Sequence, residues 1–166
     1  IFMFCEPLRG WRRVRVTQRR TRVDWAFALH TILDEDYQDA KRIVLVMDNL
    51  NTHLPSSFYE AFAPAEARRL TERLEIHYTP KHGSWLNIAE CEFSVLGRQC
   101  LARRIDEGQR LADEIAAWER DRNATANQVN WQFTTNDARI KLRRLYPVFS
   151  RQDEHEDSPT LSKVYD

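Results

Sequence analysis

Residues 43–47 read Ile-Val-Leu-Val-Met and run directly into Asp48 and Asn49. An apolar run of this length with no helical period is a strand buried on both faces, and it requires neighbouring strands and covering helices. The chain is thereby restricted to an α/β or α+β layer in which helices cover a mixed sheet. The same strand delivers a carboxylate to its C-terminal edge, where a metal ligand is well aimed. A second run, Leu74-Glu75-Ile76-His77-Tyr78-Thr79-Pro80, leads through Lys81-His82-Gly83-Ser84-Trp85 into Leu86-Asn87-Ile88-Ala89-Glu90. That places another acid at the start of a helix. Two acids from a strand end and a helix, with basic residues elsewhere, point to metal-dependent phosphodiester chemistry.

The other elements follow from period and caps. Residues 1–4 are apolar, Glu6-Pro7-Leu8-Arg9-Gly10 carries turn chemistry, and residues 11–17 alternate, Val14 and Val16 on one face and Arg13 and Arg15 on the other. The expectation is a hairpin with one solvated, basic face. Thr21 and Asp24 form a capping box for a helix over residues 23–33, and Asp34-Glu35-Asp36 suits its dipole poorly, which predicts a loop. Residues 50–57 form an exposed loop; residues 57–74 are helical with an interruption at Pro64, and residues 76–78 form a strand. Over residues 86–104 a helical stripe falls at Leu86, Ala89, Phe93, Leu96 and Cys100. Glu90 and Glu92 lie ~80° to either side of its centre, so the period leaves both open. Further helices cover residues 109–121, through Leu111, Ile115 and Trp118, and residues 134–146, capped by Thr134 and Asp137.

With 166 residues, 42% of them hydrophobic, the chain has the size and content of one domain, residues 1–149, followed by a disordered acidic tail, residues 150–166. Positive and negative side chains balance at 25 each, but unevenly along the chain. In residues 1–22 seven arginines stand against the single acid Glu6, whereas four of residues 153–157 are acidic. Cys5, Cys91 and Cys100 form no C-x-x-C pair, which fits reduced thiols and a cytoplasmic protein. No apolar run is long enough to span a bilayer. The chain opens on Ile1 and enters strand-like sequence at once, so it reads as cut from a longer polypeptide.

Carboxylates are natural ligands for Mg²⁺, and a pair of ions can serve the attacking and leaving oxygens of a phosphodiester. Asp48 is placed to bridge two ions, Glu90 to complete one coordination sphere, and Asn49 to position a phosphate or water. Taken singly, a strand-end Asp is more often an Asx turn, and a first-turn Glu a dipole partner. His53, Lys81 and His82 lie in loops that would face the same cleft, where they are candidates to contact DNA phosphate, the histidines also to assist proton transfer, although a loop histidine is more often merely solvated, and Arg12, Arg13 and Arg15 are candidates to track a DNA backbone. Trp85 pins its loop to the core. A Zn²⁺ site lacks any Cys/His cluster of ligand spacing.

Val44-Leu45-Val46-Met47-Asp48-Asn49 with His53, then Tyr78-Thr79-Pro80 and Leu86-Asn87-Ile88-Ala89-Glu90, resemble the second and third acidic blocks of the DDE superfamily, in particular bacterial insertion-sequence transposases related to the mariner group. The family's third block reads Leu-Asn-Pro-Ile-Glu, so Ile88 and Ala89 depart from it in order. The resemblance selects Glu90 over Glu92. It implies an RNase H-like fold, two Mg²⁺ or Mn²⁺ ions, hydrolytic nicking of DNA at transposon ends, and strand transfer by the released 3′-hydroxyl.

It also implies a first catalytic Asp on a central strand, and no residue matches it: Asp24 starts a helix, and Asp34 and Asp36 follow one. The expectation is therefore an RNase H-like mixed sheet flanked by helices, its first central strand missing, with a homodimer partner or another chain segment supplying it. Such a chain should lack nuclease activity alone and tend to aggregate. The competing expectation is a catalytically dead DNA-binding or interaction remnant. A phosphohydrolase ranks last, for want of a nucleophile motif around Asp48.

Overall fold

The computed structural model describes residues 1–80, 87–130, 132–141 and 143, in two units, residues 1–133 and 134–166. In the first unit β1 (Phe2–Glu6) and β2 (Trp11–Arg15) pair antiparallel, Phe2 opposite Arg15 and Glu6 opposite Trp11. Gly10 turns between them at φ 69°, and a Cβ there would lie 2.5 Å from the Ala126 backbone, so only glycine fits. Alternation along β1 sends Phe2 into a core with Trp25, Leu29, Met47, Phe58 and Leu70. Met3 enters a second core with Val14, Leu96, Ile115 and Trp118. The hairpin is thus covered on both faces, unlike the solvated basic face expected of it. Arg12 falls on the Val14 side of the alternation and is buried with it.

Helix α1 (Arg22–Thr31) begins with the expected capping box: the Thr21 hydroxyl accepts from the Asp24 N–H, and the Asp24 carboxylate accepts from the Thr21 N–H. Its end differs from expectation. Residues 32–36 continue as a π-helical turn rather than a loop. The three acids there are each met by arginine: Asp34 accepts from Arg69 and Arg73, Glu35 from Arg15, and Asp36 from Arg13. Those cations offset the repulsion between the acids and the negative end of the helix.

Strands β3 (Ile43–Met47) and β4 (Leu74–Tyr78) pair in parallel, joined by a crossover containing α2 (Ser56–Ala61) and α3 (Pro64–Glu72), with Pro64 in the first turn as predicted. Next comes α4 (Ile88–Gln99), where the Asn87 side chain caps by accepting from the Ala89 N–H at 3.1 Å. Its inward face departs from the stripe read in the sequence: Glu92 and Leu96 are buried, while Phe93 is exposed. Last in this unit is α5 (Gly108–Ala124), with Ile115 and Trp118 buried as expected. Among the described residues the strands make two separate ladders, β1–β2 and β3–β4, instead of one mixed sheet, because no described segment pairs β1 to β3. No helix of the described residues is long and apolar enough to cross a membrane. In the second unit α6 (Thr135–Lys141) carries the predicted Thr134–Asp137 cap; Trp85, residues 144–150 and the expected tail lie outside the described residues.

Helix α5 seals the outer edge of β2. Asn123 accepts from the Arg12 N–H at 2.8 Å and donates to the Arg12 carbonyl at 2.7 Å, and Glu119 accepts from the Val14 N–H at 2.6 Å. These side chains replace a third strand and leave no edge there for another chain. Inside, the Arg12 guanidinium donates from Nε and Nη2 to the two oxygens of Glu92, at 2.7 and 2.9 Å, and Arg122 approaches both oxygens at 3.2 Å. Burial by itself would raise the Glu92 carboxyl, but Arg12 and Arg122 outweigh it and hold it below the ordinary glutamate value.

Glu92→Leu strands the buried Arg12 and leaves the half-buried Arg122 unpaired with it, so it should remove roughly 3–5 kcal/mol of unfolding free energy in urea at neutral pH. Because the folded-state value is depressed, this contribution is complete above the unfolded glutamate value and disappears as pH falls through the lowered one. Stability of the native chain should accordingly drop below about pH 4.3, and the variant's pH profile should be flatter there.

Candidate functional site

Between β1 and β3 runs a cleft of about 630 Å³ lined by every residue of both strands. Its long axis follows from bonding. Tyr37 donates to Glu6 at the end of β1, and its carbonyl accepts from Arg73, whose own carbonyl accepts from the Ile43 N–H at the start of β3. The end of β1 therefore lies by the start of β3, and the two strands run in opposite directions across the gap. Helix α1 contributes Trp25 and Leu29 to the lining, and the start of α4 contributes Ile88, Glu90 and Phe93. Since Phe2 packs with α1 and Met3 with α4, these helices flank the cleft on opposite faces of the hairpin.

Both strands turn unpaired backbone into this space. Arg12 and Val14 bond outward to α5, so their cross-strand partners Met3 and Cys5 direct their N–H and C=O away from β2. Ile43 and Met47 bond to the β4 side, which turns the backbone groups of Val44 and Val46 the other way. The side chains of Val44 and Val46 are 61% and 52% exposed, a high value for apolar residues in mid-strand. The Cys5 thiol, also in the lining, is pushed up to about 11 by burial and then by Glu92, which makes it inert as a nucleophile.

Two carboxylates open into the same cleft. Asp48 follows β3 directly, is half-buried, and accepts from Nδ1 of His53 at 2.6 Å. Glu90 sits in the first turn of α4 and is exposed, and its carboxylate makes no hydrogen bond or ion pair among the described residues. The acid two positions on, Glu92, is turned into the protein and fully engaged. Rotation of α4 about its axis thus makes the choice that the period left open. Asn49 is exposed beside Asp48, and Lys81 and His82 lie outside the described residues.

The arginines expected on DNA are otherwise occupied. Arg12, at 2% exposure, offers no surface to a phosphate. Arg13 is paired with Asp36 and Glu119, and Arg15 with Glu35. Period-two alternation from Val14 was the available signal that Arg12 points inward. Arg20 was not singled out from its neighbours in the sequence, yet it is exposed, lines the cleft and makes no ion pair among the described residues. Trp25, which stacks on His53, carried no motif that would have marked it, and Tyr78, which donates to the His53 carbonyl, stood in the Tyr78-Thr79-Pro80 block without a role being read for it.

Asp48 and Glu90 fit a hard divalent cation by chemistry: oxygen donors, opening into one cleft, and unneutralised by any described arginine or lysine. A second group, His30, Asp34 and Glu66, has ligand atoms within 4.8 Å of one another. There, however, Arg69 donates to both acids and Arg73 to Asp34, and the hydrogen bond from Arg69 is what most depresses each carboxyl. The positive charge that cluster requires is already supplied.

The sequence model of a known family, the DDE superfamily endonucleases, matches residues 1–112, from β1 through α4 into the first turns of α5. The chain belongs to that family. Membership places it among nucleases of the kind that cleave DNA, for which an RNase H-like fold and divalent metal are the expectation. No curated protein and no solved structure matches it.

If Arg12 is structural, Arg12→Met should lower the urea midpoint while leaving unchanged the slope of log affinity for duplex DNA against log salt. Arg20→Ala should instead leave stability intact and reduce that slope by about one counterion.

Proposed function

We propose that this chain is the catalytic region of a bacterial insertion-sequence transposase of the mariner-related kind, in which Asp48 and Glu90 hold Mg²⁺ or Mn²⁺ for DNA strand cleavage and strand transfer. One observation carries the reading: two acids 42 residues apart, from a strand end and a helix start, line a single cleft. A divalent cation bound there would supply positive charge at the phosphodiester and a bound water more acidic than bulk water. Asp48 and Glu90 contribute the oxygen donors and Asn49 a polar side chain beside them. Arg20, Lys81 and His82 are the cationic or polar groups proposed to meet the DNA backbone, and the cytoplasm is the compartment proposed for the reaction.

The third acid of the complete site comes, in this reading, on an extended segment seated between β1 and β3, from a second copy of the chain or from another chain segment. Support lies in the ladder groups of Met3, Cys5, Val44 and Val46, which an inserted strand would satisfy from both sides. Each such bond adds roughly 0.5–1.5 kcal/mol net. With β1 and β3 antiparallel across the gap, the segment runs parallel to one and antiparallel to the other, completing a mixed sheet. The alternative, a DNA-binding remnant without chemistry, is disfavoured by the pairing of Arg12, Arg13 and Arg15 with acids of the protein itself.

Asp48→Asn and Glu90→Gln should each weaken Mn²⁺ binding by more than about tenfold, the lower range for merely indirect effects, with circular dichroism unchanged. Unaltered titrations in both variants would remove the metal reading and favour the remnant. Residues 1–166 alone should fail to nick supercoiled plasmid in Mg²⁺ or Mn²⁺; cleavage by this polypeptide would show that no additional acid is needed.

A further inference from the structure

His53 is held more firmly than a loop histidine needs to be. Its ring stacks on Trp25, centroids 5.6 Å apart and planes 27° from parallel, and Trp25 is itself buried in α1 at 3% exposure. The backbone is fixed as well: the His53 N–H donates to the Leu50 carbonyl at 2.9 Å, and its carbonyl accepts from the Tyr78 hydroxyl at 3.1 Å. Tyr78 ends β4 opposite Met47, the residue before Asp48. Ring and carboxylate are therefore referenced to the same pair of strands, and the 2.6 Å contact between Nδ1 and Asp48 Oδ1 has little freedom to rearrange.

That contact divides the two oxygens of Asp48. An ionised carboxylate only accepts, so the proton sits on Nδ1 and is directed at Oδ1. Oδ2 is left as the oxygen available to a ligand in the cleft. A carboxylate with one oxygen engaged by an N–H donor serves a cation through the other oxygen, and chelation through both is disfavoured. This matters between cations. Mg²⁺ takes single oxygens in near-ideal octahedral geometry, whereas Ca²⁺ accepts more ligands and often takes both oxygens of one carboxylate.

We infer that His53 is a positioning residue that makes Asp48 a one-oxygen ligand and thereby sets the preference of the site for Mg²⁺-sized cations over Ca²⁺. The inference rests on the reading of Asp48 as a metal ligand and adds to it a determinant of which metal is held.

Two substitutions separate the donor from the ring. His53→Phe keeps an aromatic ring on Trp25 and removes the N–H; His53→Asn removes the ring but retains an amide donor at the δ position. Mg²⁺ and Ca²⁺ are titrated separately into the native chain and each variant by calorimetry, with near-ultraviolet circular dichroism reporting the Trp25 environment. In His53→Phe the ratio of Ca²⁺ to Mg²⁺ affinity should rise by about tenfold, the lower end of what an outer-shell partner is worth to a metal ligand. In His53→Asn it should stay close to the native ratio, well short of the roughly tenfold change of a lost outer-shell partner. An unchanged ratio in His53→Phe overturns the inference, as does a Ca²⁺ shift in His53→Asn alone, which would assign the effect to ring packing. Asp48→Asn separates the two levels. If it leaves Mg²⁺ binding intact, the metal reading fails and the inference with it; if it abolishes binding while His53→Phe leaves the ratio unmoved, only the role of His53 is lost.

Discussion

Arg12 and Glu92 form a buried, two-pronged ion pair at the junction of the hairpin, α4 and α5, and the arrangement of the cleft follows from it. Arg12 Nη1 and Nη2 also donate to the carbonyls of Gly10 and Asn127, so one guanidinium ties together the hairpin turn, α4 and the segment after α5. A buried charge pair of this kind is weak evidence of net stabilisation, since desolvation opposes it, but it is intolerant of any other geometry. Glu92 can reach Arg12 only if α4 is rotated so that Glu90, two positions earlier, turns the opposite way. The same rotation exposes Phe93 and directs it to the cleft. Orientation of the candidate metal ligand is thus set by a second acid, buried against Arg12.

The two edges of the hairpin are treated differently. Along β2 the outward backbone groups are met by Asn123 and Glu119, a device that closes the edge to other chains. On the far side of β1, and on the facing side of β3, the described residues offer no such cap. Helices α1 and α4 flank the gap on either side. The two facing edges combine unpaired backbone with an apolar lining, and both candidate carboxylates line the same cleft.

Net charge near zero hides a specific allocation. Arg13, Arg15, Arg69 and Arg73 are spent on the acids of the π-helical turn and α3, which permits a helix to continue through Asp34, Glu35 and Asp36. Those arginines brace the protein and so are withdrawn from any polyanionic ligand. Among the described residues no arginine or lysine neutralises Asp48 or Glu90, and that contrast distinguishes them from the cluster of His30, Asp34 and Glu66.

Much was written locally. The apolar run ending in Asp48 determines a strand, although Val44 and Val46 are exposed where burial on both faces was expected, and the Thr21–Asp24 and Thr134–Asp137 boxes determine two helix starts because each bonds only within its own turn. What depends on partners distant in sequence was not legible there. The fate of Arg12 depends on Glu92, 80 residues away, the π-helical turn on arginines from β2 and α3, and the bond between His53 and Asp48 on a ring supplied by Trp25. Short-range period and capping energies act between neighbours, so the sequence by itself determined which segments are strands and helices and where two acids would emerge. Only the tertiary structure decided which acid of α4 faces the cleft and which arginines remain for a ligand, since buried charges accept just those rotations and pairings that leave none of them unmatched.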